Sequence, residues 1–320
     1  MSSKQMIQTS EAILKKHGAA LKGKTILITG VAADSIAGEL AVQLSAVGPK
    51  LLILSARLES RVEPIVAKIK EKDVAVQTRF LKMDLADQSE IRGAVASLSD
   101  VEAIDHVALV AGLMWPPYRK TTDGVESQLA VNYVANFLLV KLLRDKIEKA
   151  GRGSSVVVVA SSAIRGGKIN FEDVNFETPD SYEPTVAYGQ SNAARVMFVK
   201  KLAPQLSSKG VRAYSVDPGA VQSGLQRHFN DDHRAWIANL RTSGEKLKDL
   251  DGREFTLPPW TSTSEGAATI ITGMVDPTIE DSSGAFLHNN AVADEELHSH
   301  IVDENNWTKL WDLTENLIHE

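Results

Sequence analysis

The chain has 320 residues, 43% hydrophobic and 24% charged, with a formal charge of −6. That is the balance of an ordinary globular protein long enough to bury a large core. The acidic excess argues against nucleic acid or an anionic membrane as the main partner, and the absence of cysteine excludes disulfides, thiolate catalysis and cysteine-based metal sites.

Met1–Leu21 reads as a helical arm in which Ile7, Ala12, Ile13 and Leu14 could dock on the body. Residues 1–22 lack the long apolar core of a signal peptide or anchor, and nothing further on approaches a membrane span, so the cytoplasm is the expected compartment. Thr25–Thr29 is a β-branched run suited to a buried parallel strand, Gly30 turns the chain, Ser35–Val47 has helical apolar spacing, and Leu51–Leu54 is a second strand. A charged helix (Val62–Lys72), a strand (Val74–Leu81), a helix (Glu90–Leu98) and a fourth apolar run (Val107–Val110) follow. A Pro- and Tyr-rich loop, Trp115–Tyr118, leads to a long apolar helix, Val125–Leu143. Ser155–Ala160 is a fifth strand, Tyr188–Leu206 a helix and Val211–Val216 a sixth strand. This alternation predicts an α/β fold of Rossmann type, a doubly wound parallel sheet in a single domain spanning 23–320.

Between 224 and 262 the periodicity fades. An insertion of that length after the sixth strand lies beyond the carboxyl ends of the strands, where such sheets bind ligands, so it is expected to shape the substrate site. Ser264–Val275 and Trp307–Ile318 return to helix; Trp307 and Trp311 share one helical face and suit packing.

Lys24–Arg57 has the order strand, glycine turn, helix, strand that places main-chain N–H groups and a helix N-terminus against a pyrophosphate. With only Gly30 and Gly38 of a dinucleotide fingerprint present, a flavodoxin-like or nucleotide-free domain stays open. Arg57 ends the second strand where an NAD site carries an acid and an NADP site a nearby Arg; the bland alternative is a solvated loop Arg. None of the eight histidines has metal-ligand spacing, and His298 and His300, beside Asp294, Glu295 and Glu296, read as a solvated acidic loop, so no metal is expected. Ser162 at a strand end and Tyr188 at a helix start are each generic alone: a cap and a packing residue.

Together with their surroundings they resemble the short-chain dehydrogenase/reductase family, from about Gly23 to the C-terminus. GKTILITG is similar to its first strand, TDGVESQLAVNYVANFLL to the segment with its active-site Asn, VVVVASS to the strand bearing its catalytic Ser, AYGQSNAA to its Y-x-x-x-K segment and VDPGAVQS to its P-G-x-x-x-T segment. GKINFEDVNFE, SEGAATI and LWDLTENLI look more specifically like a fungal retinol-dehydrogenase-like branch. The resemblance implies Tyr188, Ser162 and Asn132 as catalytic residues: Tyr exchanges a proton with the substrate oxygen, Ser hydrogen-bonds it and Asn orders a water. It implies NADP(H) held by Gly30, Ser35, Ile36, Arg57, Asp84, Leu85, Ala111, Gly112, Tyr188, Asn192, Pro218, Gly219, Val221 and Ser223. It also implies a small-molecule substrate and a homodimer, for which the helices 125–143 and 188–206 could supply the face.

Four departures stand out. Ser35-Ile36-Ala37 replaces G-I-G, with four residues after Gly30 rather than three; Ser35 could donate to phosphate. Leu109-Val110-Ala111-Gly112 lacks the Asn side chains of N-N-A-G. Ser223 replaces a Thr, and Asn192 stands at the lysine position. That lysine lowers the Tyr pKa and holds the nicotinamide ribose; each pKa unit returned to Tyr188 costs about 1.4 kcal/mol in activating it as a base. Carbonyl reduction needs the protonated phenol, abundant at pH 7, so surviving activity should favour reduction. Arg195, one turn beyond Asn192, could partly replace the missing cation or simply face the surface. The expected function is an NADP(H)-dependent reductase of a small carbonyl or imine, in the style of fungal secondary metabolism. The alternative is a protein that keeps NADP(H) and performs a cyclisation, an isomerisation or only binding.

Overall fold

The computed structural model describes residues 8–319. Ile7 lies outside them. The arm begins with α1 (Ser10–His17), N-capped by Thr9, and continues as a 3-10 turn to Leu21. Ile13 and Leu14 are buried in the core layer shared with α9 (Thr263–Val275), whereas Ala12 is exposed.

Eight strands form one sheet: β1 (Thr25–Thr29), β2 (Leu51–Ala56), β3 (Gln77–Lys82), β4 (His106–Leu109), β5 (Ser155–Val159), β6 (Arg212–Asp217), β9 (Phe286–His288) and β10 (Ala291–Val292). Their order is β10-β9-β6-β5-β4-β1-β2-β3; all neighbours are parallel except β10 on β9. The central strands are fully buried and rich in Val, Ile and Leu because helices cover both faces. α1, α2 (Ile36–Ser45), α3 (Glu63–Lys72) and α9 build one apolar layer. α4 (Gln88–Ala96), α6 (Ala135–Ala150), α7 (Pro184–Ser207) and α11 (Glu304–Leu317) build the other. β1 lies between β2 and β4, so strand order reverses there and a crevice opens at the carboxyl ends, the doubly wound arrangement expected. β9, only three residues long, gave no periodic signal.

One expectation is corrected. The segment 224–262 is not irregular: it holds α8 (Asp231–Ser243), capped by Asn230 and closed by Gly244 at φ +66°, and a hairpin of β7 (Leu247–Lys248) and β8 (Glu254–Phe255). α8 buries only Ile237 and Leu240, too narrow a stripe to read as a helix. One face of α6 and α7 is packed by the chain's own α11. Trp311 packs on Phe137 at 4.7 Å and Phe198 at 6.0 Å, and the Tyr133 and Thr314 hydroxyls are 2.6 Å apart.

Candidate active site

Two adjoining cavities open at the carboxyl ends of β1, β4, β5 and β6. The first, of ≈ 210 Å³, runs along the β1–α2 turn. Gly30 has φ +80°, and a Cβ there would stand 2.8 Å from Ala111 Cα, so only glycine lets the turns after β1 and β4 meet. Gly38 is equally constrained, its missing Cβ pointing at the Ala32 carbonyl. Ser35 is not a free phosphate donor. Its Oγ accepts from Ala32 N and Gly38 N at 3.0 Å and gives its own proton to Ala32 O at 2.8 Å, clasping the turn and capping α2. Ile36 opens the helix and lines both cavities, and the open N-terminus of α2 faces anions favourably.

Arg57, Arg61 and Arg227 line the far end of this groove. Arg61 pairs with Asp34 at 2.9 Å. Burial, then the charges of Arg57 and Arg61, push the Arg227 pKa down, the mark of cations held close without enough counter-charge. Leu85 lines the groove, but Asp84 does not; its carboxylate accepts from Ala86 N at 3.0 Å. On the opposite wall, Thr29 Oγ1 accepts from Val110 N and Ala111 N at 3.0 and 3.2 Å, holding the turn that lacks the Asn side chains. Gly224 N–H donates to Asp34 O at 2.9 Å, drawing the insertion over the groove with Ser223 at its edge.

At the junction of the cavities stands Tyr188, in α7 and 8% exposed. Burial raises its pKa; the Arg195 charge and hydrogen bonds with the side chains of Ser161 and Asn192 pull it back, and Asp217 opposes them. Both adjacent serines line this cavity with the phenol: Ser161, which acts on the phenol's pKa, and the expected Ser162, at the start of a 3-10 turn. Ser161 Oγ accepts from Ala163 N at 3.1 Å, leaving its own proton to donate. Pro218, Gly219 and Val221 form the opposite lip, with Gly219 N donating to Asp217 Oδ1 at 2.9 Å.

Asn132 is fully buried in a π-turn, Ala130–Val134, between α5 (Ser127–Leu129) and α6. Its side chain is spent on Leu113 N and O (2.7 and 3.0 Å) and Ser191 Oγ (2.9 Å), so it fixes the β4 turn against α7. Its carbonyl accepts from Arg195 Nε. Asn192 donates to Tyr188 O at 2.8 Å and accepts from Arg195 Nη1 at 3.3 Å. Arg195 is 2% exposed, so it is no surface residue.

The second cavity, of ≈ 310 Å³, is walled by the insertion and by Trp115 from the loop after β4. Trp115 sits at φ +56°, a costly conformation for so bulky a residue, and stacks on Phe229 at 4.6 Å with Trp236 at 6.2 Å. Arg241 lies over Trp260 at 3.6 Å and Arg165 over Phe255 at 5.1 Å. The hairpin is pinned from behind: Arg253 donates to Glu295 O and Leu297 O, and Asp249 lies 2.9 Å from His298. His298 is therefore fully buried rather than solvated. Among the described residues no cluster of three or more His, Cys, Asp or Glu could hold a metal, and no helix is long and apolar enough to cross a membrane.

Sequence reasoning missed Arg61, Arg227 and the aromatic wall. Arg61 and Arg227 lie in short 3-10 turns, and Trp236 in a helix whose buried stripe is too narrow to read.

A family model described as short chain dehydrogenase matches residues 24–234. The chain is 30% identical to mouse retinol dehydrogenase 14, covering 93% of this chain and 86% of that protein. It is 29% identical to the short-chain dehydrogenase/reductase prx1 of Penicillium roqueforti, with the same coverages. A solved short chain dehydrogenase from Burkholderia cenocepacia in complex with NADP shares the fold at TM-score 0.63 and 20% identity, over 85% of this chain and all of that one.

Proposed function

The chain belongs to the short-chain dehydrogenase family, and from that premise we propose that it is an NADP(H)-dependent reductase of a carbonyl or imine on a flat, apolar small molecule. The observation that carries this is the Tyr188 phenol and the Ser161–Ser162 pair lining the place where a phosphate-suited groove meets an aromatic cavity. NADP(H) supplies the hydride. The groove suits it: Gly30 and Gly38 allow the close turn, the α2 N-terminus faces a pyrophosphate, and Arg57, Arg61 and Arg227 face a 2′-phosphate with one carboxylate, Asp34, among them. Ser161, one lone pair taken by Ala163 N–H, donates to the substrate oxygen and polarises the carbonyl. Tyr188, its pKa raised by burial, stands protonated at neutral pH and delivers the proton to that oxygen as the carbon is reduced. Trp115, Phe229 and Trp236 offer flat apolar faces to the body of the substrate.

NADPH consumption against aldehydes, ketones and imines tests this. The expected result is turnover in the native protein, reduced about 10²–10⁴-fold in Tyr188→Phe with NADPH binding intact, and a comparable loss in Ser161→Ala but a smaller one in Ser162→Ala. Turnover unaffected by Tyr188→Phe, or NADPH binding without consumption across the panel, overturns the reading and favours a non-redox use of the pocket.

A further inference from the structure

We propose that Arg195 has taken over the position of the missing lysine, and that Asn192 and Arg195 form one unit in which neither can be exchanged alone. The two stand three residues apart on α7, and the guanidinium folds back toward the preceding turn, as helical side chains do. Nη1 donates to Asn192 Oδ1 at 3.3 Å, while Asn192 Nδ2 donates to the Tyr188 carbonyl at 2.8 Å. The neutral amide is thus a spacer between the arginine and the turn that bears the tyrosine.

The guanidinium is anchored at two further points, Nε on Asn132 O and Nη2 on Ala111 O. The π-turn makes the first possible. Within Ala130–Val134 the main-chain bonds shift to i+5, with Ala135 N donating to Ala130 O, and the Asn132 carbonyl accepts from two side chains, Asn136 Nδ2 at 2.7 Å and Arg195 Nε. Gly112 lies alongside: a Cβ there would crowd Asn132 Oδ1 at 3.2 Å and merely touch the guanidinium, 3.5 Å from Nη2 and 3.7 Å from Nη1.

What Arg195 lacks is an acid beside it. Arg195 is in no ion pair among the described residues, although a buried cation without a counter-ion is costly. The titratable group that faces it is the Tyr188 phenol. A residue kept only to satisfy carbonyls need not carry charge; a cation whose facing partner is a phenol stabilises phenolate. The groups facing Tyr188 are Arg195 on its own helix, Asp217 at the end of β6, and the neutral side chains of Ser161 and Asn192. Arg195 acts through Tyr188 as a positioning and electrostatic residue. Placing an ammonium at 192 would set two cations against each other in a dry site, so Asn192→Lys by itself is a loss and not a repair.

The test needs no turnover, so it stands apart from the reductase reading. Tyrosine labelled with ¹³C at Cζ is titrated by NMR in the cofactor-free protein; there are five tyrosines, and Tyr188→Phe identifies the signal. Arg195→Gln is expected to move the Tyr188 transition up by about one unit or more, a tenfold weaker acid, while Arg195→Lys holds it near the native position. In the reduction pH profile, the falling limb moves to higher pH in Arg195→Gln, because the phenol stays protonated longer. An unchanged Tyr188 transition in folded Arg195→Gln overturns the proposal. Should that variant fail to fold, the pair decides: Asn192→Lys is expected to melt earlier than the native protein, and Asn192→Lys/Arg195→Gln to recover. Asn192→Lys alone melting no earlier than the native protein, with a lowered Tyr188 transition, overturns it as well.

Discussion

The two walls of the groove are held by different physics. The sheet wall is fixed by short polar side chains locked onto the main chain: Gly30 against Ala111, Thr29 Oγ1 on two main-chain amides, Ser35 clasping its own turn, and Asn132 tied to Leu113 by both ends of its amide. The insertion wall is a helix that buries two residues and a two-rung hairpin, held by long and aromatic side chains: Arg253 on two carbonyls, Asp249 on His298, and Phe229 against Trp115. A wall whose side chains satisfy buried main-chain groups tolerates little change, whereas one made of aromatic faces can be re-cut for another substrate without disturbing the chemistry. Where the walls meet, at Arg57 and Arg227, a change is felt by both.

The largest effect on binding is expected there. Arg57→Ala/Arg227→Ala should weaken NADPH about 10²–10⁴-fold, since charged hydrogen bonds contribute about 1.5–3 kcal/mol each, while NADH affinity stays close to native. Equal loss for both cofactors, read by titration of dinucleotide fluorescence, would mean the arginines hold the insertion and not a phosphate. Trp236→Ala separates the walls. It should raise KM about tenfold for a bulky aromatic carbonyl, with kcat and NADPH affinity nearly unchanged, because it removes uniform binding on the insertion side. A drop in kcat instead would tie the aromatic wall to the placement of the reacting carbon.

This difference also decides what the sequence could disclose. β1, the Gly30 turn, α2 and β2 were legible because buried strands and a helix start have a period and punctuation, whereas residues 188–192 were legible only through the family resemblance. α8 was not, because Ile237 and Leu240 are its only buried residues. Arg195 was visible as a candidate, but its partners lie on a π-turn more than fifty residues earlier and on the turn after β4, and neither has a local signature. The covering of α6 and α7 by α11 is likewise a tertiary fact; Trp307 and Trp311 announced a packed face without saying against what.

The remaining prediction concerns stability, at the sheet wall's foundation. His106 in β4 is 1% exposed and sits opposite Ser155 of β5, Nδ1 to Oγ 2.9 Å. Burial pushes its pKa down to about 3, against the mild upward pull of Asp105. In the unfolded chain the ring titrates near its ordinary value of about 6.5. Below that pH the unfolded chain takes up a proton that the folded chain refuses, so stability is complete above about pH 6.5 and falls as pH drops toward 3, by up to about 1.4 kcal/mol per unit. Urea unfolding at pH 6.5 and pH 5 should therefore show the native protein losing about 2 kcal/mol more than His106→Gln, which has no proton to gain. Equal losses would mean that the ring is hydrated or protonated within the sheet, and that the sheet wall is softer at its base than the hairpin that faces it.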